Sequence, residues 1–226
     1  MKKILLFLLC GICSAYAQPG DTDSKPVGKY ASENALLQTT PDARRIVLMG
    51  DSITELWKVI DGKLFTGSYI NRGISGQTTA QMLLRFREDV IDLRPKLVVI
   101  MGGTNDIALN DGPLALEDTF GHIVSMVQLA KSNKIRVVLC SVLPAYDFKW
   151  RPEVAPAEKI VKLNAMLKRY AAKNKITYID YHSAMKDARN GMKEGYAEDG
   201  VHPNLDGYSV MKPLLLKGIA QALKRK

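Results

Sequence analysis

Arg45-Ile46-Val47-Leu48-Met49-Gly50-Asp51-Ser52-Ile53-Thr54-Glu55 changes character at its glycine. Up to Met49 the run is apolar and β-branched with no polar alternation, the pattern of a strand buried on both faces. From Ser52 onward, Ser52-Ile53-Thr54-Glu55 matches the S-x-x-E signature with which helices begin. A doubly buried strand that turns straight into a helix opens a βα unit, because parallel neighbours need a crossover between them.

The unit recurs along the chain. Ser68 to Asn71, Leu97 to Met101, Ile135 to Cys140 and Ile176 to Ile179 read as further strands, and amphipathic helical stretches are expected near 54–60, 78–91, 114–132, 156–174 and 204–223. Five alternations predict a three-layer α/β/α sandwich around a five-stranded parallel sheet, with the flavodoxin-like order 2-1-3-4-5. Ligands of such sheets sit beyond the carboxyl ends of the strands, so the loops after Met49, Asn71 and Met101 should share one rim.

The N-terminus carries Lys2-Lys3, an apolar core from Ile4 to Ile12 and Ala15-Tyr16-Ala17, a small-x-small cleavage pattern. The expected division is a signal peptide over 1–17, a polar leader over 18–42 and one domain over 43–226, exported to the periplasm or the exterior. About ten apolar residues cannot cross a hydrocarbon core of roughly 30 Å, so no stable membrane insertion is expected. Lipid attachment at Cys10 or Cys13 is disfavoured by the bulky Leu9 and Ile12 before them. Cleavage leaves Cys140 as the one remaining cysteine of three, so the core must supply stability without an intrachain disulfide. The formal charge of +9 is scattered and interleaved with acids, which argues against a nucleic-acid partner.

Four segments carry side chains suited to chemistry. Ser52 stands at a strand end and helix start, where taken alone it reads first as a helix cap, though the same position presents its hydroxyl beside backbone N–H groups that favour developing negative charge. Asn71-Arg72-Gly73-Ile74-Ser75-Gly76-Gln77-Thr78-Thr79 offers two glycines ahead of a helix, Gly73 as a turn residue and Gly76 as a close backbone donor. Gly102-Gly103-Thr104-Asn105-Asp106 brings an amide to the same rim. In Asp199-Gly200-Val201-His202-Pro203-Asn204, a turn would set the carboxylate on Nδ1 and leave Nε2 outward, with Pro203 in the first turn of the last helix. His182 is the rival base, and His122 reads as structural.

In this order the four segments resemble the SGNH hydrolases, the GDSL esterase/lipase family, over about residues 44–208. Gly50-Asp51-Ser52-Ile53 departs from the name-giving motif only in Ile for Leu. The resemblance implies Ser52 as nucleophile, Asp199 and His202 as its acid and base, and an oxyanion hole from the N–H groups of Ser52 and Gly76 with the Asn105 amide. It implies no cofactor and no metal. A phosphoesterase using Asp51, Asp106, Asp180 and Asp199 around a divalent ion is the enzymatic alternative, although beyond the expected cleavage site, which removes Cys10 and Cys13, no two His or Cys have metal-ligand spacing. A non-catalytic glycan-binding protein is the other. The loop over 141–155 is long and holds Tyr146, Phe148 and Trp150, which could form a substrate wall or merely cover the sheet edge. A small-molecule or glycan ester with a short acyl group, acetyl above all, is the expected substrate, with lysophospholipid and thioester as alternatives.

Overall fold

The computed structural model describes residues 28–225; the expected signal peptide, Cys10, Cys13 and the first part of the leader lie outside the described residues. In chain order the elements are α1 (Ala31–Thr39), β1 (Ile46–Gly50), α2 (Ser52–Ile60), a 3₁₀ turn (Gly62–Phe65), β2 (Tyr69–Gly73), α3 (Thr79–Leu84), a π-helical turn (Arg87–Ile91), β3 (Leu97–Ile100), α4 (Thr104–Ile107), α5 (Leu116–Ser132), β4 (Arg136–Cys140), α6 (Pro156–Lys173), β5 (Thr177–Ile179), α7 (Tyr181–Met185) and α8 (Leu205–Lys224). The five strands form one parallel sheet of order β2-β1-β3-β4-β5, the expected doubly wound arrangement.

Burial explains why the strand runs were legible. Val47 and Met49 face one apolar cluster, with Met82, Phe86, Val127 and Leu163. Ile46 and Leu48 face the other, with Trp57, Tyr208, Met211 and Leu215. Successive strand side chains point to opposite faces, and here both faces are covered, so the central strands β1 and β3 are apolar throughout, while the buried Asn71 and Arg72 of edge strand β2 are held by hydrogen bonds. Each buried Val, Leu or Ile contributes about 1.5–3 kcal/mol.

The helix expected over 78–91 is broken after Leu84. At the break Arg85 is fully buried, and its guanidinium donates to Gly50 O at 2.9 Å, Gln77 Oε1 at 2.6 Å and Asp89 Oδ2 at 2.8 Å. Part of the stretch read as a leader is helical: α1 buries Asn34, which donates to Asp89 at 2.6 Å and accepts twice from Arg72, at 3.0 and 2.7 Å. Pro203 precedes Asn204, the residue that caps α8 through its side chain, so it lies outside the helix rather than in its first turn.

Candidate active site

Ser52 does not cap α2. Asp51 does, accepting the Ile53 N–H at 3.0 Å, and Ser52 is the first residue of the helix. That frees Ser52 Oγ to meet His202 Nε2 at 2.9 Å. The opposite ring nitrogen, Nδ1, lies 2.6 Å from Asp199 Oδ2, while Asp199 Oδ1 accepts the backbone N–H groups of Val201 and His202 at 2.9 and 2.8 Å. A Nδ1–H donating to the carboxylate fixes the tautomer in which Nε2 accepts from the serine. Burial alone would push the Asp199 carboxyl up, but the hydrogen bonds from the His202 ring and the two N–H groups outweigh it and hold it below the ordinary carboxylate range.

Glu55, the expected partner of a Ser52 cap, serves the neighbouring loop instead. One oxygen accepts both Ser75 N–H and Ser75 Oγ–H at 2.6 Å, and the other pairs with Lys29. Gly73, expected as a turn residue, ends β2, and a Cβ there would lie 2.2 Å from the Glu55 backbone nitrogen. Only glycine lets β2 and the start of α2 approach this closely. Three residues on, Gly76 has φ of +74°, in the left-handed region that glycine adopts without strain.

Asn105 is buried, and its amide is oriented at both ends. Nδ2 donates to Gln77 O at 2.9 Å and Oδ1 accepts from Asn110 Nδ2 at 2.9 Å. An amide nitrogen carries two protons, so one is left for a ligand. Ser52, Gly76, Asn105, Asn110, Trp150 and His202 are among the residues lining a groove of about 350 Å³. A second recess of about 330 Å³ shares Leu56 and His202 with it and continues past Asp199 and Pro203.

The three aromatics of the 141–155 loop have separate fates. Trp150 reaches the groove, half exposed, its ring 6.2 Å from that of His202. Phe148 is fully buried behind it, stacked at 5.0 Å, so it supports Trp150 and offers no face of its own to a substrate. Tyr146 packs under the Arg189 guanidinium at 4.4 Å and is not among the groove's lining residues. Of the expected wall, Trp150 alone borders the groove.

His182, the rival base, is buried; its backbone N–H bonds Ser141 Oγ at 2.9 Å, and burial pulls its pKa down. His122 meets Thr79 Oγ1 through Nδ1 at 3.1 Å, and Thr79 also donates to Asp106. The four carboxylates considered as metal ligands are committed elsewhere: Asp51 to Ile53, Asp106 to Thr79, Asp180 to Ser183 and Lys168, and Asp199 to His202. Among the described residues no three His, Cys, Asp or Glu are grouped to hold a metal ion.

Sequence reasoning missed Asn110, Gln77, Arg85 and Tyr30. Asn110 also donates to Gly76 O at 3.2 Å, and Tyr30 OH donates to Gly73 O at 2.5 Å. These are contacts across 5 to 43 positions, with no spacing rule to announce them.

A parallel α/β sheet with hydroxyl, imidazole and carboxylate joined in series over its carboxyl rim belongs, as a class, with the α/β enzymes that act on ester bonds. More narrowly, the chain is a member of the GDSL-like lipase/acylhydrolase family, whose sequence model matches residues 48–210. The crystal structure of a GDSL-like lipase from Bacteroides thetaiotaomicron is 48% identical and superposes with a TM-score of 0.84, covering 87% of this chain and 98% of that one. Esterase TesA of Pseudomonas aeruginosa is 26% identical over 203 residues, 84% of this chain and 92% of that protein. Acetylxylan esterase of Geobacillus stearothermophilus is 23% identical over 158 residues, 66% of this chain and 71% of that one. Two other curated relatives, a Bacillus subtilis lipoprotein among them, are matched over only 33% and 38% of their own lengths.

Proposed function

We propose that the protein is an exported serine esterase that removes short acyl groups, acetyl above all, from carbohydrate or a similarly small alcohol. The reading rests on one observation, the unbroken series from Ser52 Oγ to His202 Nε2 at 2.9 Å and from His202 Nδ1 to Asp199 at 2.6 Å. Ser52 Oγ attacks the ester carbonyl as its proton passes to Nε2, and the carbonyl π pair becomes an oxyanion facing Ser52 N–H, Gly76 N–H and the free Asn105 proton. Collapse breaks the C–O bond, and the imidazolium returns its proton to the departing alcohol. Water, deprotonated by His202, then attacks the acyl-serine, the bond from the acyl carbon to Ser52 Oγ breaks, and the imidazolium returns the proton to Ser52 Oγ as the free acid leaves.

A groove lined by Asn105, Asn110 and Ser75 beside the half-exposed indole of Trp150 suits a hydroxylated leaving group packed against the ring. A relative named acetylxylan esterase supports the acetyl–carbohydrate reading. The pattern of residues 1–17 and the lipoprotein relative support export with that segment removed. The test is a chain-length series of nitrophenyl esters run beside acetylated xylo-oligosaccharides. Highest kcat/KM on acetyl substrates, abolished in Ser52→Ala, is expected; preference for long acyl chains would move the reading to lysophospholipid or a related lipid ester.

A further inference from the structure

The N-terminal ends of β4 and β5, at the edge of the sheet opposite the catalytic loops, border a separate cavity of about 420 Å³. Lys131, Lys134, Arg136, Lys175 and Arg225, all exposed, line it, and among the described residues no acidic one does. Among the described residues none of the five forms an ion pair.

The two turns that build the cavity are copies of each other. Asn133-Lys134-Ile135 follows α5 and Asn174-Lys175-Ile176 follows α6, and both lysines are left-handed, with φ of +59° and +55°. Glycine or asparagine is the residue that ends a helix there without strain. A lysine at the end of a helix complements the negative end of its dipole, which accounts for each turn singly. Arg225, beyond α8, is held there by donating Nη1 to Lys175 O at 2.7 Å, but neither that bond nor the dipoles account for Arg136 on a strand facing the same space, where like charges repel one another and no carboxylate among the described residues lines the wall to offset them.

We propose that this cavity is a second, non-catalytic binding site for a small multiply charged oxyanion, a molecule bearing two or more phosphate or sulfate groups. Its volume falls in the range of small-ligand sites, about 300–1,000 Å³, and five cations around a concavity match several clustered oxyanions better than a single charge. The lysines give point charges, Arg136 gives a forked donor, and Arg225, with Nη1 on Lys175 O, keeps its remaining N–H groups for a ligand. The site is independent of the esterase reading, since none of its residues lines the catalytic groove.

Inorganic tripolyphosphate titrated calorimetrically into the full chain tests it. Saturable one-to-one binding is expected, weakened about tenfold or more in Lys134→Asn/Lys175→Asn, since each lost charge-assisted contact matters on that scale. Asparagine tolerates the left-handed turn, so the fold is retained, and hydrolysis of nitrophenyl acetate should be unchanged. The pair Lys63→Asn/Lys162→Asn, exposed residues away from the cavity, removes the same charge. It should bind as the parent does. Equal weakening in both pairs, or no saturable binding, would overturn the proposal. Vesicles containing cardiolipin, a lipid whose headgroup bears two phosphates, identify the source of the oxyanion. Binding that fails only in the cavity variant assigns a lipid headgroup, and no vesicle binding beside intact tripolyphosphate binding assigns a free solute.

Discussion

Asp51 ought to make the protein less stable as pH rises through weak acidity. Its carboxyl is wholly buried under Ser52; one oxygen accepts the Ile53 N–H and the other has no hydrogen-bond partner among the described residues. Burial pushes its pKa from 3.8 up to about 6, partly opposed by the Ile53 N–H and by the nearby His202, and assisted by Asp106. The folded state therefore binds this proton more tightly than the unfolded chain. Stability from this group is complete below the unfolded value, is lost as pH rises through the folded one, and is flat beyond. Roughly two pH units at 1.36 kcal/mol each amount to about 3 kcal/mol. Asp51→Asn keeps a capping acceptor and carries no charge. Urea unfolding at pH 4 to 8 should show the variant close to the parent at pH 4 and more stable by as much as about 3 kcal/mol at pH 7. At about 2–4 °C per kcal/mol for a chain of this size, Tm should rise by roughly 6–12 °C. A variant less stable than the parent at pH 7, or a difference that does not change with pH, would refute the reasoning.

Three further outcomes are expected. Asn105→Ala should lower kcat on the order of a hundred- to a thousandfold with KM little changed, the effect of losing one oxyanion donor; near-normal turnover would remove it from the site. Trp150→Ala should raise KM for acetylated xylo-oligosaccharide by about tenfold while leaving KM for nitrophenyl acetate nearly unaltered, since packing against the indole is worth about 1–1.5 kcal/mol; equal effects on both would show that the indole holds no sugar. Asn34→Ala deprives Arg72 of two acceptor contacts and Asp89 of a donor, so denaturant unfolding should show a loss of about 2–4 kcal/mol; a loss under 0.5 kcal/mol would mean that α1 is not anchored by that amide.

What was legible in the chain was what burial or short-range geometry imposes. The strand runs stand out because both faces of the sheet are covered, and Asp199-x-x-His202 because a turn brings residues three apart together. The cap of α2 is not legible because Asp51 and Ser52 are both good capping residues at adjacent positions; S-x-x-E fits one, while the structure uses the other and turns Glu55 toward Ser75. Helix α1 is polar enough to read as a leader, since it is held through the amide of Asn34 and not through an apolar stripe. Helices α4 and α7, of four and five residues, are too short for a periodic signal. Composition placed three aromatics in one loop but could not say which way each pointed. The buried chain Asn34–Asp89–Arg85–Gln77, which reaches Asn105 through the Gln77 carbonyl, joins residues from four separate segments and becomes visible only in three dimensions.

The central claim is that Ser52 is the group acylated. A fluorophosphonate incubated with the protein and located by peptide mass spectrometry tests it most directly. One adduct on Ser52 is predicted, absent in Ser52→Ala and formed far more slowly in His202→Ala. Labelling and ester turnover that persist in Ser52→Ala would contradict the account.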